Sequence, residues 1–342
     1  MTEKDFWRKA TVAVIGGGSW GTVLAHLLSG NCSEVRIWTR DDEDARAFNS
    51  TRNNPRYAQG LHFGGNVRAL SEPDRVFEGG VQAVIWALPS KVLRQAARDF
   101  SRHFQGDEMI IHATKGIEEG TLKRMTEVLR EELPAPRIGV ISGPNLADEV
   151  ARGEPAATVV ASAYTEVIEA GRTLLTTDRF RVYGNTDVIG VEWAGVLKNV
   201  LAIAAGSLDA LNLGANSRSA LISRGLAEMV RFSEYFGARQ DTFLGLAGVG
   251  DLLATCSSSL SRNYRVGQAL ASGKTLEQAL EELGSTAEGV QTCGSVWKFA
   301  EKRGIYMPIT EGVYRVIQGQ CSAREALHQL MTRASANALY ES

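Results

Sequence analysis

Histidine and cysteine are scarce in this chain, five and four residues among 342. The cysteines, Cys32, Cys256, Cys293 and Cys321, stand far apart, with no C-x-x-C pair and no metal-ligand spacing. That pattern excludes a metal centre built on His and Cys and a disulfide-stapled scaffold, and it points to a reducing compartment. No charge sign dominates: 37 Lys and Arg oppose 39 Asp and Glu, for a formal net charge of −2. A nucleic-acid protein carries a basic excess or stripe, so no nucleic-acid partner is expected. A small anion stays open as a ligand, because a few local cations suffice to hold one. The start, MTEKDFWRKATVAVIGGG, passes from a charged segment straight into a strand, without the apolar region and small-residue cleavage site of a signal peptide. No apolar run approaches the about 18 residues of a membrane span. A cytoplasmic location without a membrane span is therefore expected.

What is present is length and alternation. A chain of 342 residues exceeds one typical core and reads as two domains. The first half alternates short apolar runs, Thr11–Ile15, Glu34–Trp38, Ala83–Leu88, Met109–His112, Ile138–Ser142, Ala157–Ala161 and Phe180–Tyr183, with helical patterns near 20–30, 41–49, 91–103, 121–132, 145–152 and 165–176. Strand–helix–strand alternation predicts a parallel sheet with helices on both faces. From about Val188 the chain turns rich in Ala, Leu, Gly and Glu, and helices are expected at 190–209, 216–236, 240–246, 250–257, 261–271, 275–282, 289–303, 308–318 and 322–331. The turn-like string YGNTD separates the two, giving an α/β domain over 1–187 and an all-α domain over 188–342.

The segment TVAVIGGGSWGTVLAHLLSG runs from strand to helix through Gly16-x-Gly18-x-x-Gly21. The first glycine makes a tight turn, the second lets backbone approach a pyrophosphate, and the third lets helix pack on strand. Free N–H groups at the helix start then face the phosphates. A second strand follows within about thirty residues, which is the context that turns a weak motif into a Rossmann-type dinucleotide site. At the end of that second strand stand Arg40, Asp41 and Asp42. A carboxylate there holds the ribose of NAD, whereas an arginine meets the 2′-phosphate of NADP. Arg40 favours tolerance of NADP, with NAD left open and a plain surface arginine as the alternative.

Three further strand ends carry chemistry-bearing loops, ALPSKVL, ATKGIEEG and SGPNLADEV. Ligands of open α/β sheets bind at the carboxyl edge. Lys115, flanked by Thr114 and Gly116, is placed there to meet an anion or a carbonyl, although a lone loop lysine is commonly a solvated charge. Pro144 at a first helical position would leave backbone N–H groups free for a phosphate; a plain strand–helix turn reads the same.

Lys198 is the most telling residue. In EWAGVLKNVLAIAAGSLDA it is the only charged side chain between Glu192 and Asp209, with apolar residues all round it. A helix that is apolar on every face is buried, and a buried ammonium must be paired or give up its proton. Either state suits an acid–base residue; a snorkelling lysine is the alternative. Asp251 is a second lone charge, in LGLAGVGDLLATC, and the two invite pairing, whether or not Asp251 also caps a helix. Ser261-Arg262-Asn263, at an expected helix start, would make a phosphate site.

GGGSWGT, ATKGIE, VISGPN, GVEWAGVLKNVLAIAAG, RGLAEM, GVGDLLATC, SRNYRVG, AEGVQT and MPITEGVY occur in register over about residues 11–335. In this order they resemble the bacterial-type NAD(P)-dependent glycerol-3-phosphate dehydrogenases. The resemblance implies a Rossmann-type N-terminal domain, an all-α C-terminal domain, a homodimer, and interconversion of dihydroxyacetone phosphate and sn-glycerol 3-phosphate with NADP or NAD. It gives Ser19 and Trp20 to the pyrophosphate loop, Arg40 to the adenosine side, and Ala147, Thr286 and Glu288 to the cofactor. Lys115 and Arg262 serve both cofactor and substrate, while Gly143, Asn145, Asp251, Ser261 and Asn263 serve the substrate. Lys198 becomes the catalytic lysine, with Lys115 and Asp251 beside it in the chemistry. One position departs: the family commonly has Thr or Ser where this chain has Asn145. Two other readings are a β-hydroxyacid dehydrogenase or ketopantoate-type reductase, and a dinucleotide-binding sensor without turnover. The second would need no buried Lys–Asp pair.

Overall fold

The structure is a computed structural model that describes residues 2–284 and 287–333. The chain divides into two compact units. The first comprises Met1–Glu118 and Lys123–Val191; the second comprises Glu119–Leu122 and the chain from Glu192 onward.

In the first unit the order is α1 (Glu3–Trp7), β1 (Thr11–Ile15), α2 (Ser19–Ser29), β2 (Glu34–Trp38), α3 (Asp42–Thr51), β3 (Val67–Leu70), α4 (Pro73–Phe77), β4 (Ala83–Trp86), α5 (Ser90–Phe100), β5 (Met109–His112), α6 (Met125–Glu132), β6 (Ile138–Ser142), α7 (Ala147–Ala151), β7 (Ala156–Ser162), α8 (Thr165–Leu175) and β8 (Phe180–Asn185). One sheet holds all eight strands in the order β3-β2-β1-β4-β5-β6-β7-β8. Its pairs are parallel except β6 with β7, where Ser142 stands opposite Val159. The expected parallel sheet is thus corrected at one pair, because the short α7 connection reverses the chain instead of carrying it across a face. β1 shows why the central strands read as unbroken apolar runs. Val12 and Val14 enter one core with Val35, Ile37 and the α2 residues Leu24 and Leu28. Ala13 and Ile15 enter another with Val84, Trp86 and the α5 residues Leu93 and Ala97. A sheet covered on both faces has no polar side to alternate with.

The second unit is helical. α9 (Val188–Ala210) begins just before it, and α10 (Ala215–Glu234), α11 (Gln240–Phe243), a π-helical turn (Leu246–Gly250), α12 (Asp251–Cys256), α13 (Arg262–Ala271), α14 (Leu276–Leu283), α15 (Glu288–Arg303), α16 (Pro308–Ile317) and α17 (Ala323–Thr332) follow. α9 is long and apolar enough to cross a membrane, against the expectation that no run approached that length; 83% of its apolar window is buried inside the protein, where packing uses it. α9 and α13 cross backbone to backbone: a Cβ on Gly206 would lie 1.9 Å from the Tyr264 carbonyl oxygen, and one on Gly267 1.9 Å from that of Ile203. Glu228 of α10 caps α16 from across the unit, accepting from the Ile309 and Thr310 amides at 2.6 and 3.1 Å.

Candidate active site

Each unit builds one constellation from residues far apart in sequence. In the first unit, β1, β4, β5 and β6 run parallel, so the loops that follow them share one edge of the sheet. After β1, Gly16 takes a φ of +121°, and a Cβ there would sit 2.6 Å from the Ala87 carbonyl oxygen. A Cβ on Gly21 would lie 1.8 Å from the Gly16 carbonyl, so α2 packs against its own turn only because position 21 has none. Gly18 differs: a Cβ there meets nothing within 4 Å. Gly18 is the N-cap of α2, and no side chain caps that helix. Open space above an uncapped helix start fits a dinucleotide pyrophosphate, which would be held by the backbone from Gly18 onward. Ser19 opens α2, and Trp20 is half-buried with its ring 6.3 Å from Phe180. Buried Asn54, not singled out from sequence, braces this loop: its Nδ2 donates to the Gly17 carbonyl at 3.0 Å and to Thr22 Oγ1 at 2.8 Å. Arg40 is exposed, 3.6 Å from the Asp41 carboxylate.

The other strand-end loops are laced to one another. Thr114 Oγ1 donates to the Leu88 carbonyl at 2.6 Å, and Lys115 Nζ donates to the Gly143 carbonyl at 3.0 Å. Thr158 Oγ1 donates to the Ser142 carbonyl at 3.1 Å and accepts from Asn145 Nδ2 at 2.7 Å. The hydroxyl's single proton fixes the direction of that relay and turns the amide nitrogen toward Thr158. Pro144 is not a first helical residue; it lies in a bend, and α7 starts at Ala147 behind the N-cap Leu146. The SGPN backbone therefore opposes Thr158 across the antiparallel β6–β7 pair rather than heading a helix.

In the second unit, Lys198 is 6% exposed and Asp251 1%. Lys198 Nζ donates to Asp251 Oδ1 at 2.5 Å and to Thr255 Oγ1 at 2.6 Å. The geometry follows from local structure: Asp251 and Thr255 stand one turn apart on α12 and so share a face. Asp251 is the first residue of α12 but not its cap, which is Gly250, so its carboxylate is left for the lysine. The pairing of two lone charges was legible in the sequence; Thr255, a hydroxyl among apolar residues, carried no such signal. Burial pushes the neighbouring Cys256 thiol up to about 12, which keeps it neutral.

Asn199, next to the lysine, and Asn263 meet at the start of α15. Asn263 Oδ1 accepts from the Gly289 amide at 3.0 Å, and a Cβ on Gly289 would lie 2.6 Å from the Asn199 carbonyl oxygen. Glu288, the first residue of α15, directly precedes this Gly289 contact. Ser261 is the N-cap of α13, accepting from the Tyr264 amide at 3.4 Å, and exposed Arg262 is the first residue of that helix. Thr286 lies outside the described residues. Among them, no group of three or more His, Cys, Asp or Glu could hold a metal ion.

Two family models match the chain: the N-terminal model of the NAD-dependent glycerol-3-phosphate dehydrogenases over residues 11–168, and the C-terminal model over 187–328. The chain belongs to this family. Membership agrees with the nine motifs in register. A glycerol-3-phosphate dehydrogenase (NAD(P)+) of Pseudomonas paraeruginosa is 47% identical over 317 residues, which is 93% of this chain and 91% of that one. The crystal structure of a glycerol-3-phosphate dehydrogenase from Coxiella burnetii is 36% identical, with a TM-score of 0.88 over 95% of this chain and 99% of that one. A ketopantoate reductase family protein from Ralstonia eutropha is also similar, with a TM-score of 0.58 over 93% of this chain and 100% of that one; at 16% identity it shares the fold alone.

Proposed function

We propose that this glycerol-3-phosphate dehydrogenase family member interconverts dihydroxyacetone phosphate and sn-glycerol 3-phosphate with NADP or NAD. The observation that carries the reading is a buried ammonium, Lys198, held between Asp251 and Thr255 in a helical unit. When bound at the glycine loop, the nicotinamide cofactor supplies or accepts the hydride. Lys198 gives a proton to the substrate's carbonyl oxygen as charge develops there, and takes it back from the hydroxyl in the reverse direction. Asp251 holds the amine in place through a 2.5 Å hydrogen bond. Thr255 receives a second N–H, which leaves one of the three ammonium protons for substrate. Arg262, Ser261 and Asn263 serve the phosphate, with Gly143 and Asn145 as further substrate contacts. Lys115 contacts both cofactor and substrate. Gly16, Gly18, Ser19, Trp20, Gly21, Arg40, Ala147, Arg262, Thr286 and Glu288 serve the cofactor. Family membership further supports a cytoplasmic homodimer joined through the helical unit.

Oxidation of NADPH and NADH, followed optically with dihydroxyacetone phosphate as substrate and dihydroxyacetone as control, tests this reading. Turnover with the phosphorylated ketone alone is expected, and Lys198→Ala should lower it by about 10²–10⁴-fold with cofactor affinity retained. Equal turnover of the unphosphorylated ketone would return the substrate to the β-hydroxyacid reading, and near-normal turnover by Lys198→Ala would remove the lysine from the chemistry.

A further inference from the structure

Lys115 stands at the end of a short segment with little secondary structure of its own. β5 ends at His112, and no helix begins before α6 at Met125. The segment is closed by a bridge between Ile117 and Arg124 and by the Glu118 amide donating to the Lys123 carbonyl at 2.9 Å. Its other fixed point is electrostatic. Arg94 of α5 grips Glu118 with both prongs of its fork: Nε donates to Oε1, and Nη2 donates to Oε2 at 3.0 Å. The same guanidinium donates to Glu131 Oε2 at 2.8 Å and to Glu132 Oε1, both on α6. Arg98 and Lys123 complete the cluster on Glu132 and Glu131.

A single exposed ion pair would say little, since solvent and salt screen it. This one is different in form. Arg94 is only 22% exposed, and it bonds all three carboxylates of the cluster. The planar fork fixes direction as well as distance, which a lysine's point charge does not. Its carbon stem leaves α5 one position after Leu93, which is fully buried in the core. The grip is thus referred to the rigid sheet layer, and it ends three residues from Lys115.

We propose that Arg94 is a positioning residue: through Glu118 it holds the Lys115 segment in register, so that the Lys115 amine stays at the Gly143 carbonyl. The proposal rests on the reading of Lys115 as a substrate and cofactor contact. Without Arg94, the carboxylates of Glu118, Glu131 and Glu132 lose the cation that bonds all three, and their mutual repulsion works to separate the segment from α6. A displacement of about 1 Å in a positioning element can cost about 10²-fold in rate.

The test is a double-mutant cycle on the full chain, reading kcat and KM for dihydroxyacetone phosphate, NADPH affinity by fluorescence, and thermal midpoint. Arg94→Gln and Glu118→Gln should each lower kcat/KM for the ketone about 10–100-fold, with the midpoint still above assay temperature. Arg94→Lys, which keeps charge and loses the fork, should recover only part of that loss. In a Lys115→Met background the Arg94→Gln loss should largely vanish, because the group it positions is gone. A purely structural role would give the same fold-loss in both backgrounds, and that additive result overturns the proposal while leaving Lys115 in its role. A silent Lys115→Met overturns the Lys115 reading and the proposal with it. Near-normal kcat/KM in Arg94→Gln overturns the proposal alone.

Discussion

Gly18 and Gly21 belong to one motif and to one helix start, yet the space around them assigns them opposite duties. At Gly21 an added methyl carbon lands 1.8 Å from the Gly16 carbonyl oxygen, so Gly21→Ala forces α2 off the turn and should cost at least about 1–3 kcal/mol of stability. At Gly18 the methyl meets no protein atom, and the backbone, at φ −74° and ψ −176°, suits any residue. Gly18→Ala should therefore lose about 1 kcal/mol or less, the difference between Gly and Ala as an N-cap, while weakening NADPH binding about tenfold or more by filling the pyrophosphate's approach. Urea denaturation beside a fluorescence titration checks both; a Gly18→Ala protein with normal NADPH affinity would refute the cradle. The motif was legible because three glycines in that spacing have a backbone reason. Lys198 and Asp251 were legible because an isolated charge in apolar sequence demands a partner. Asn54, Thr158 and Thr255 were not, since a neutral polar residue is ordinary anywhere in a chain and acquires meaning only from the atom that the fold brings to it.

Whole elements were read best where the pattern was long. The strands buried on both faces announced themselves as apolar runs, and the helices of the second half kept their boundaries within a few residues. β3 escaped notice because VRAL is a four-residue run interrupted by Arg68, and α1 and α4, five residues each, because neither directly joins two strands legible in the sequence. The helix expected over 121–132 starts only at Met125, since residues 119–124 form the closed turn that carries Glu118. The antiparallel β7 was not foreseeable, because strand direction depends on the path between strands and leaves no mark in composition. Helix crossings were equally silent: nothing in sequence separates Gly267 from Gly294, each a glycine inside a helix. Their surroundings do. A Cβ on Gly267 would strike the Ile203 carbonyl oxygen at 1.9 Å, whereas one on Gly294 finds its nearest atom, Tyr314 Cε2, at 3.8 Å. Gly267→Ala should push α13 from α9 and lose about 1–3 kcal/mol. The change should also lower kcat/KM, because α13 begins with the Ser261-Arg262-Asn263 stretch. Gly294→Ala should gain up to about 1 kcal/mol from helix propensity. Denaturation midpoints of the two variants decide the point, and equal losses at both positions would mean that propensity, not the crossing, governs.

At the scale of the molecule, stability against pH is where the buried Glu228 outweighs its own hydrogen bonds. Its carboxylate accepts from two α16 amides and from Thr310 Oγ1, all of which favour the ionised form, as do Arg231 and, more distantly, the positive charge of Arg333. Burial opposes them and prevails, raising the group from 4.5 to about 7. A carboxyl that keeps its proton in the native state where the unfolded chain has lost it stabilises the fold below pH 4.5 and withdraws that contribution as pH climbs through about 7. The span corresponds to about 3 kcal/mol. Other groups act in different windows. Arg94, Arg98 and Lys123 hold Glu131 and Glu132 below the ordinary carboxylate range, so their contribution is present above that range and is lost on acidification. Burial lowers His26 and His103, so each favours folding more as pH rises toward 6.5 and adds nothing further above it, against Glu228 over that window. The raw profile of the protein therefore mixes opposing slopes, and only a difference curve isolates one group. Glu228→Gln keeps the shape, loses the titration, and faces one amide donor with an NH₂, so it is less stable than the parent at low pH by about 1–3 kcal/mol. That deficit should shrink steadily between pH 4.5 and 7 as the parent begins to bear the cost of a buried charge, and flatten above pH 8. Urea denaturation of both proteins at half-unit intervals gives the curve. A deficit that stays flat between pH 4.5 and 7 would mean that the three donors, not burial, set the ionisation of Glu228.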